Sequence, residues 1–145
     1  MSFKRVFAAM SGGVDSAAAA LLLRRAGYDV TGVTLRLHAY KDRPGLCGSA
    51  DDIETARAVS AAMGIPHQVL DLSGLFCTAV MDRFVEEYVH GRTPNPCIDC
   101  NREIKFGALL DWALEQGADA IATGHYARVR YDEERGRWLL LRSEE

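Results

Sequence analysis

The sequence predicts an α/β fold, a doubly wound and mostly parallel sheet covered on both faces, with a β-hairpin at the C-terminal end. Three observations predict it. Short apolar runs with β-branched residues alternate with Ala/Leu-rich or amphipathic stretches, the pattern of strand–helix–strand units. The first apolar run passes straight into a glycine turn and then a helical stretch. The 145 residues, 48% hydrophobic and 26% charged, have the size and balance of one globular domain, long enough to bury about 70% of its unfolded surface.

Each element has its own signal. Residues 5–10 are a short apolar run stopped by Ser11-Gly12-Gly13, a buried strand. Residues 15–26 are rich in Ala and Leu and end at Gly27, a helix closed by a glycine. Residues 29–37 alternate through Val30, Val33, Leu35 and Leu37 as a second strand. After a polar loop, residues 51–63 carry Ile53, Ala56, Val59 and Met63 at helical spacing and stop at Gly64. Asp51, Asp52 and Glu54 are acids at that helix start, complementing its dipole.

Residues 66–70 form a third strand. Residues 74–90 set Leu75, Ala79, Val80, Phe84, Val85 and Tyr88 on one helical stripe, with Cys77 inside it as an inert core thiol. Thr93-Pro94-Asn95-Pro96 is extended, because proline restricts the residue before it. Residues 103–115 are helical and residues 118–122 form a fourth strand. Residues 126–130 and 138–141 flank a polar, glycine-bearing turn, the terminal hairpin.

Composition excludes several function classes. Seventeen Lys and Arg against 20 Asp and Glu give a net charge of −3, so no global basic field marks a nucleic-acid partner. The longest apolar run, residues 17–23, closes at Arg24, far short of the roughly 20 residues a membrane span requires. No secretory signal precedes the first strand, which makes the cytoplasm the expected compartment. There Cys47, Cys77, Cys97 and Cys100 are expected as thiols, ligands or nucleophiles rather than disulfides.

Parallel sheets bind ligands at the carboxyl ends of their strands, which singles out the loops after Met10, Leu37 and Ala122. The first reads Ser11-Gly12-Gly13-Val14-Asp15-Ser16. Two glycines permit positive φ and let backbone amides approach an anion; Ser16 and the helix start bring free N–H groups to the same place. The string is neither GxxxxGK[ST] nor GxGxxG, so the common NTPase and dinucleotide motifs do not apply. A glycine pair alone would favour a plain turn capped by Asp15. The complete string at the first strand–helix junction favours phosphate.

Ser-Gly-Gly-Val-Asp-Ser resembles the signature of the PP-loop ATP pyrophosphatases, which have an adenine nucleotide alpha-hydrolase-like fold, adenylate a carbonyl-type oxygen and release pyrophosphate. Two further strings narrow the resemblance: Thr93-Pro94-Asn95-Pro96-Cys97-Ile98-Asp99-Cys100-Asn101-Arg102-Glu103-Ile104-Lys105-Phe106 and Ala122-Thr123-Gly124-His125-Tyr126-Ala127-Arg128. Together the three are similar to the N-terminal domain of bacterial tRNA-specific 2-thiouridylases, from Val6 to about Arg142.

That resemblance implies a tRNA-uridine 2-sulfurtransferase: ATP-dependent adenylation of the wobble uridine at its C2 oxygen, then sulfur transfer from a cysteine persulfide. Its partners would be tRNA (the Lys, Glu and Gln acceptors) and a persulfide donor such as a cysteine desulfurase or relay protein. Ala9, Met10, Ser11, Gly12, Gly13, Val14, Asp15 and Ser16 would hold the ATP phosphates with Mg²⁺, and Leu35 and Gly124 would touch the rest of the nucleotide. Asn95, Pro96 and Cys97 would lie against the target base. Cys100 would be the catalytic cysteine, cleaving a persulfide carried on a second cysteine.

The residues around Cys100 agree with that role on their own terms. Prolines stiffen the segment before it, and it is expected at a helix start beside Arg102 and Lys105, surroundings that favour a thiolate. Two departures from the family's pattern stand out. Many members have Asp, assigned acid–base work, where this chain has Cys97; Asp99 is near in sequence but is expected to point elsewhere on the loop. The resulting Cys-x-x-Cys pair is compatible with two ligands of a [4Fe-4S] cluster or with a redox dithiol. The family also continues into a central domain and a C-terminal β-barrel, and its second sulfur-carrying cysteine lies there. Residues 1–145 are therefore expected to be one PP-loop nucleotide-binding domain, a fragment that binds ATP without full activity. Cys47, in the loop after the second strand, has no counterpart in the motif.

His125 is placed at the ligand-binding rim, within reach of phosphate or satisfied in its turn. Arg92, Arg102, Lys105, Arg128 and Arg130 are candidates for a local tRNA-backbone patch. The rival readings are another PP-loop adenylating ligase and a non-catalytic nucleotide or iron–sulfur binding module.

Overall fold

The structure, a computed structural model, describes residues 5–38 and 48–142. Strand β1 (Arg5–Ala9) leads into helix α1 (Val14–Arg25), then β2 (Asp29–Arg36), α2 (Ala50–Met63) and β3 (His67–Asp71). A continuous helix α3 (73–89) follows, with a π-helical stretch at Cys77–Met81 between Ser73–Phe76 and Asp82–Val89. A second continuous helix, α4 (96–115), is α-helical at Pro96–Asp99, π-helical at Cys100–Ala108 and α-helical again at Leu109–Glu115. Strand β4 (Ala120–Ala122) and the hairpin β5 (Arg128–Asp132) and β6 (Arg137–Leu141) complete the chain.

The four parallel strands lie in the order β3-β2-β1-β4, and the hairpin forms a separate two-stranded antiparallel sheet. The sheet therefore grows in one direction from β1 to β3 and then resumes on the other side of β1. Strand alternation divides the core. Ala8, Met10 and Val30 pack with Ala20, Ala56 and Ile65 from the α1 and α2 side. Phe7, Val33, Leu35 and Leu37 pack with Phe76, Val80, Ile104, Leu109 and Ala113 from α3 and α4 on the opposite face. The expected doubly wound sheet and terminal hairpin are both present.

Three local expectations are corrected. Of the expected stripe, Val80 is buried and Ala79 and Phe84 are half-buried, but Leu75, Val85 and Tyr88 are exposed and Phe76 is buried instead; the π-helical turn carries an i→i+5 bond, Asp82 N–H to Cys77 O, and so shifts the helical register after it by about one residue. Cys77 is exposed rather than in the core, because it lies beside Phe76 on the outer side of that turn. The proline segment also becomes helical sooner than expected. Pro96 is the first helical residue and Asn95 caps it, its side chain accepting from the Cys97 N–H at 3.1 Å. Cys47 lies outside the described residues. No helix among the described residues is long and apolar enough to cross a membrane.

Candidate functional site: a cleft at the strand ends

A cleft of about 260 Å³ opens at the carboxyl ends of β1, β2 and β4, where the strand order reverses. Its floor is Val33, Thr34, Leu35 and Leu37 of β2 and its continuation; Ala9, Met10, Ser11, Gly13, Asp15 and Ser16 form one wall. Gly48, Lys105, Thr123, Gly124 and His125 close the rest.

The loop between β1 and α1 is built from its own hydroxyls. Ser16 Oγ donates to the Gly13 carbonyl at 3.0 Å and accepts from the Ser11 N–H at 3.2 Å. Only Gly12 has positive φ, at +80°, and a Cβ there would stand 3.0 Å from the Asp52 carbonyl oxygen of α2. Gly13 is extended (φ −86°, ψ 165°) and is the N-cap of α1, with no side chain capping the helix. Of the two glycines, only Gly12 uses the positive φ that both permit, and Asp15 is not the cap. The contrast with α2 is sharp. There Ser49 accepts from the Asp52 N–H and Asp52 accepts from the Ser49 N–H, a complete capping box.

Gly124 holds the other wall against the start of α1. A Cβ on it would meet Ser16 N at 2.7 Å and the Asp15 carbonyl carbon at 3.0 Å. Two residues on, the exposed Tyr126 donates its hydroxyl to Asp15 Oδ1 at 2.7 Å, and this bond raises the phenol's pKa. Tyr126 is therefore engaged with α1 rather than opening the hairpin as expected. His125 Nδ1 lies 2.8 Å from Thr123 Oγ1, and its ring tilts against Phe106 at 5.5 Å. Desolvation, then the Lys105 ammonium, lowers its pKa and favours the neutral imidazole.

Of the residues expected to hold ATP, the structure gathers Ala9, Met10, Ser11, Gly13, Asp15, Ser16, Leu35 and Gly124 around one cleft. Gly12 faces α2 instead, and Val14 points to solvent at 84% exposure. Asn95, Pro96, Cys97 and Cys100 do not line the cleft. Cys97 is exposed on the first turn of α4, and Cys100 packs half-buried against the α3/α4 core. The helix begins at Pro96, so Cys97 lies within it and Cys100 is a turn further in than the expected helix start. The π-helical stretch starts at Cys100, so one i→i+5 turn separates that thiol from cleft-lining Lys105.

Asp99 is also re-placed. It is buried and accepts from Arg102 at 2.8 Å, with Arg83 of α3 3.6 Å away, so it ties α4 to α3. The basic candidates have separate surroundings. Arg92 is paired with Glu87, Arg102 with Asp99 and Glu103, and Lys105 faces the cleft. Arg128 belongs to β5 and is engaged, and Arg130 is on the same strand. Sequence reasoning placed Lys105 on a nucleic-acid surface and missed Thr34 and Tyr126. A hydroxyl inside the apolar run of β2 was the available signal for Thr34.

Asp15 is the one carboxylate among the described residues lining the cleft, which fits Mg²⁺ held by one protein carboxylate and phosphate oxygens. No group of three or more ligating side chains occurs among the described residues; Cys47 lies outside them.

Residues 4–145 match the family described as the tRNA methyl transferase HUP domain. The tRNA-specific 2-thiouridylase MnmA of Methylobacterium sp. (strain 4-46) is 56% identical over 129 residues, covering 87% of this chain and 34% of that protein. MnmA 1 of Syntrophus aciditrophicus is 52% identical over 143 residues, covering 98% and 38%. The chain thus spans little more than a third of the length of these curated relatives. Among solved structures it resembles a predicted subunit of tRNA methyltransferase from Methanocaldococcus jannaschii (TM-score 0.57, 18% identity, 83% of this chain and 53% of that one). It also resembles NMN synthetase from Francisella tularensis (TM-score 0.50, 18% identity, 83% and 44%). At that identity the likeness is one of fold alone. With the loop, the cleft and a match along all but the first three residues in agreement, the chain belongs to the tRNA methyl transferase HUP domain family.

Proposed function

We propose that this chain is the ATP-binding, adenylating domain of a tRNA-specific 2-thiouridylase, residues 1–145 forming one domain of a longer protein. The observation that carries the reading is the uncapped N-terminus of α1, facing a cleft whose other wall brings Lys105. Free N–H groups and the positive end of a helix favour phosphate, and the ammonium adds a point charge for it. The apolar floor at Val33, Leu35 and Leu37 suits a nucleoside.

In this reading the backbone at Ser11–Ser16 and Lys105 hold the phosphates, Leu35 and Gly124 border the nucleoside, and Asp15 is the protein ligand to Mg²⁺. When bound, Mg²⁺ supplies charge neutralisation at the phosphate oxygens. The uridine O2 attacks the α-phosphorus; the new P–O bond forms as the bond to pyrophosphate breaks. Cys97, Asn95 and Pro96 border the base. A persulfide on a second cysteine, outside residues 1–145, attacks C2. The Cys100 thiolate attacks the proximal sulfur of that persulfide, forming a disulfide with the second cysteine. The S–S bond breaks, the sulfur stays on C2 and AMP leaves. An external thiol reductant then restores both cysteines.

Calorimetric titration with ATP and Mg²⁺ tests the first half. The chain should bind, and Gly13→Asp should abolish binding with an unchanged melting temperature. Its extended backbone accepts any residue and its Cβ direction meets only Ser11 Oγ at 3.4 Å, while Asp is a good N-cap that sets a carboxylate where phosphate would sit. The full-length protein with tRNA and a persulfide donor should give tRNA the mass gain of oxygen-to-sulfur exchange. Absence of ATP binding in both the chain and the full-length protein overturns the reading.

A further inference from the structure

A polar chain runs from the edge strand β3 to the mouth of the cleft. Thr34, only 1% exposed, donates its hydroxyl proton to the Met10 carbonyl at 2.8 Å. That carbonyl belongs to the Met10–Ser11 peptide, whose N–H donates to Ser16 Oγ at 3.2 Å. The first peptide plane of the loop is therefore pinned on both sides, by β2 through its C=O and by α1 through its N–H. A hydroxyl has one proton to give. With it committed to Met10, the short contact of 2.8 Å between Thr34 Oγ1 and His67 Nε2 is a bond in which Nε2–H donates, and the histidine is the Nε2–H tautomer.

The surroundings leave this arrangement little freedom. A Cβ at Gly32, between these groups, would meet Met10 Sδ at 2.8 Å, Ser60 Oγ at 2.9 Å and His67 Cδ2 at 3.2 Å. Ser60, fully buried, donates to Met10 Sδ at 3.2 Å. Close packing of this kind transmits a displacement instead of absorbing it. Desolvation and the nearby Arg57 lower the His67 pKa, whereas Glu54 opposes them, in keeping with a neutral ring.

We propose that His67 is a positioning residue for the nucleotide loop: its Nε2–H holds the Thr34 hydroxyl on the Met10 carbonyl and so sets the peptide plane that opens Ser11–Ser16. It touches no substrate itself. The effect on nucleotide affinity rests on the reading of the cleft given above; the effect on the loop does not.

The test uses the 145-residue chain with His67→Leu, His67→Gln, Thr34→Val and Thr34→Ser. Hydrogen exchange at the Ser11, Gly12 and Gly13 amides is measured without nucleotide, and ATP–Mg²⁺ affinity by calorimetry. Thr34→Val leaves a buried carbonyl without its donor and should weaken ATP about tenfold and speed exchange at Ser11 by a similar factor. His67→Leu should shift both readouts the same way by about threefold. His67→Gln keeps an N–H near the position of Nε2, Thr34→Ser keeps the hydroxyl, and both should restore wild-type values. Equal losses in His67→Leu and His67→Gln would mean that the ring's shape matters and not its donor, which overturns the proposal. Unchanged exchange in both His67→Leu and Thr34→Val overturns it too. If wild-type chain binds no ATP, the nucleotide reading fails separately and the exchange data alone decide the role of His67.

Discussion

At the scale of single residues, the cleft depends on where side chains are missing as much as on where they stand. Gly124 has no room for a Cβ, since Ser16 N and the Asp15 carbonyl carbon already occupy the place, and backbone atoms have little freedom to yield. Gly124→Ala should therefore part β4 from the start of α1 and weaken ATP binding at least tenfold, read by calorimetry, at a stability cost of about 1–3 kcal/mol read by denaturant unfolding. Much of this was legible in the sequence. The Ser11–Ser16 string located the loop at the mouth of the cleft, and Gly124 entered through a matching string. Lys105 was not legible as a cleft residue, because helical spacing says which residues share a face but not what that face meets.

At the scale of elements, strands and caps were the most legible features. Gly64 ends α2 in the left-handed conformation expected of it, and β1 to β4 lie within two residues of their anticipated bounds. The two π-helical stretches were not legible. Nothing in a 3.6-residue pattern announces an i→i+5 turn, and each one moves every later side chain around the helix. That is why Val85 and Tyr88, beyond the first π-helical stretch, turn to solvent. Asp99 stabilises this arrangement by drawing Arg102 and, across the helix pair, Arg83. The carboxylate is nearly buried while both guanidinium groups are half-exposed, so Asp99→Ala should cost about 1–2 kcal/mol, seen as a lower denaturant midpoint with an unchanged slope.

At the scale of the whole molecule, two histidines bias the folded state in one direction. The pKa of His67 is lowered by burial and then by Arg57, and that of His125 by burial and then by Lys105, both from 6.5. A group that takes up its proton less readily when folded adds nothing above its unfolded pKa and favours the unfolded chain below it. Stability should be level above about pH 6.5 and decline as pH falls below it. Replacing both histidines with Gln should remove that decline between pH 6.5 and 5. A decline that persists unchanged in the double variant would assign it to other groups. Asp71 acts lower on the scale. Its bonds to Ser73 depress its pKa below 3.8, so its contribution is present above that value and is lost as pH falls through the depressed one.

The pair of tryptophans gives the molecule an optical consequence. Trp112 packs against Phe7 at 5.4 Å beneath the central sheet, whereas Trp138 stands 68% exposed on the separate hairpin, its ring edge-on to Tyr131. One indole is half-buried against the core and the other stands in water, so the emission of the first lies to the blue of the second. A water-soluble quencher such as iodide extinguishes the red component first and leaves the blue one as a reporter of the sheet interior. The protein thus has a built-in fluorophore that separates fraying of its terminal ribbon from collapse of its parallel-sheet body.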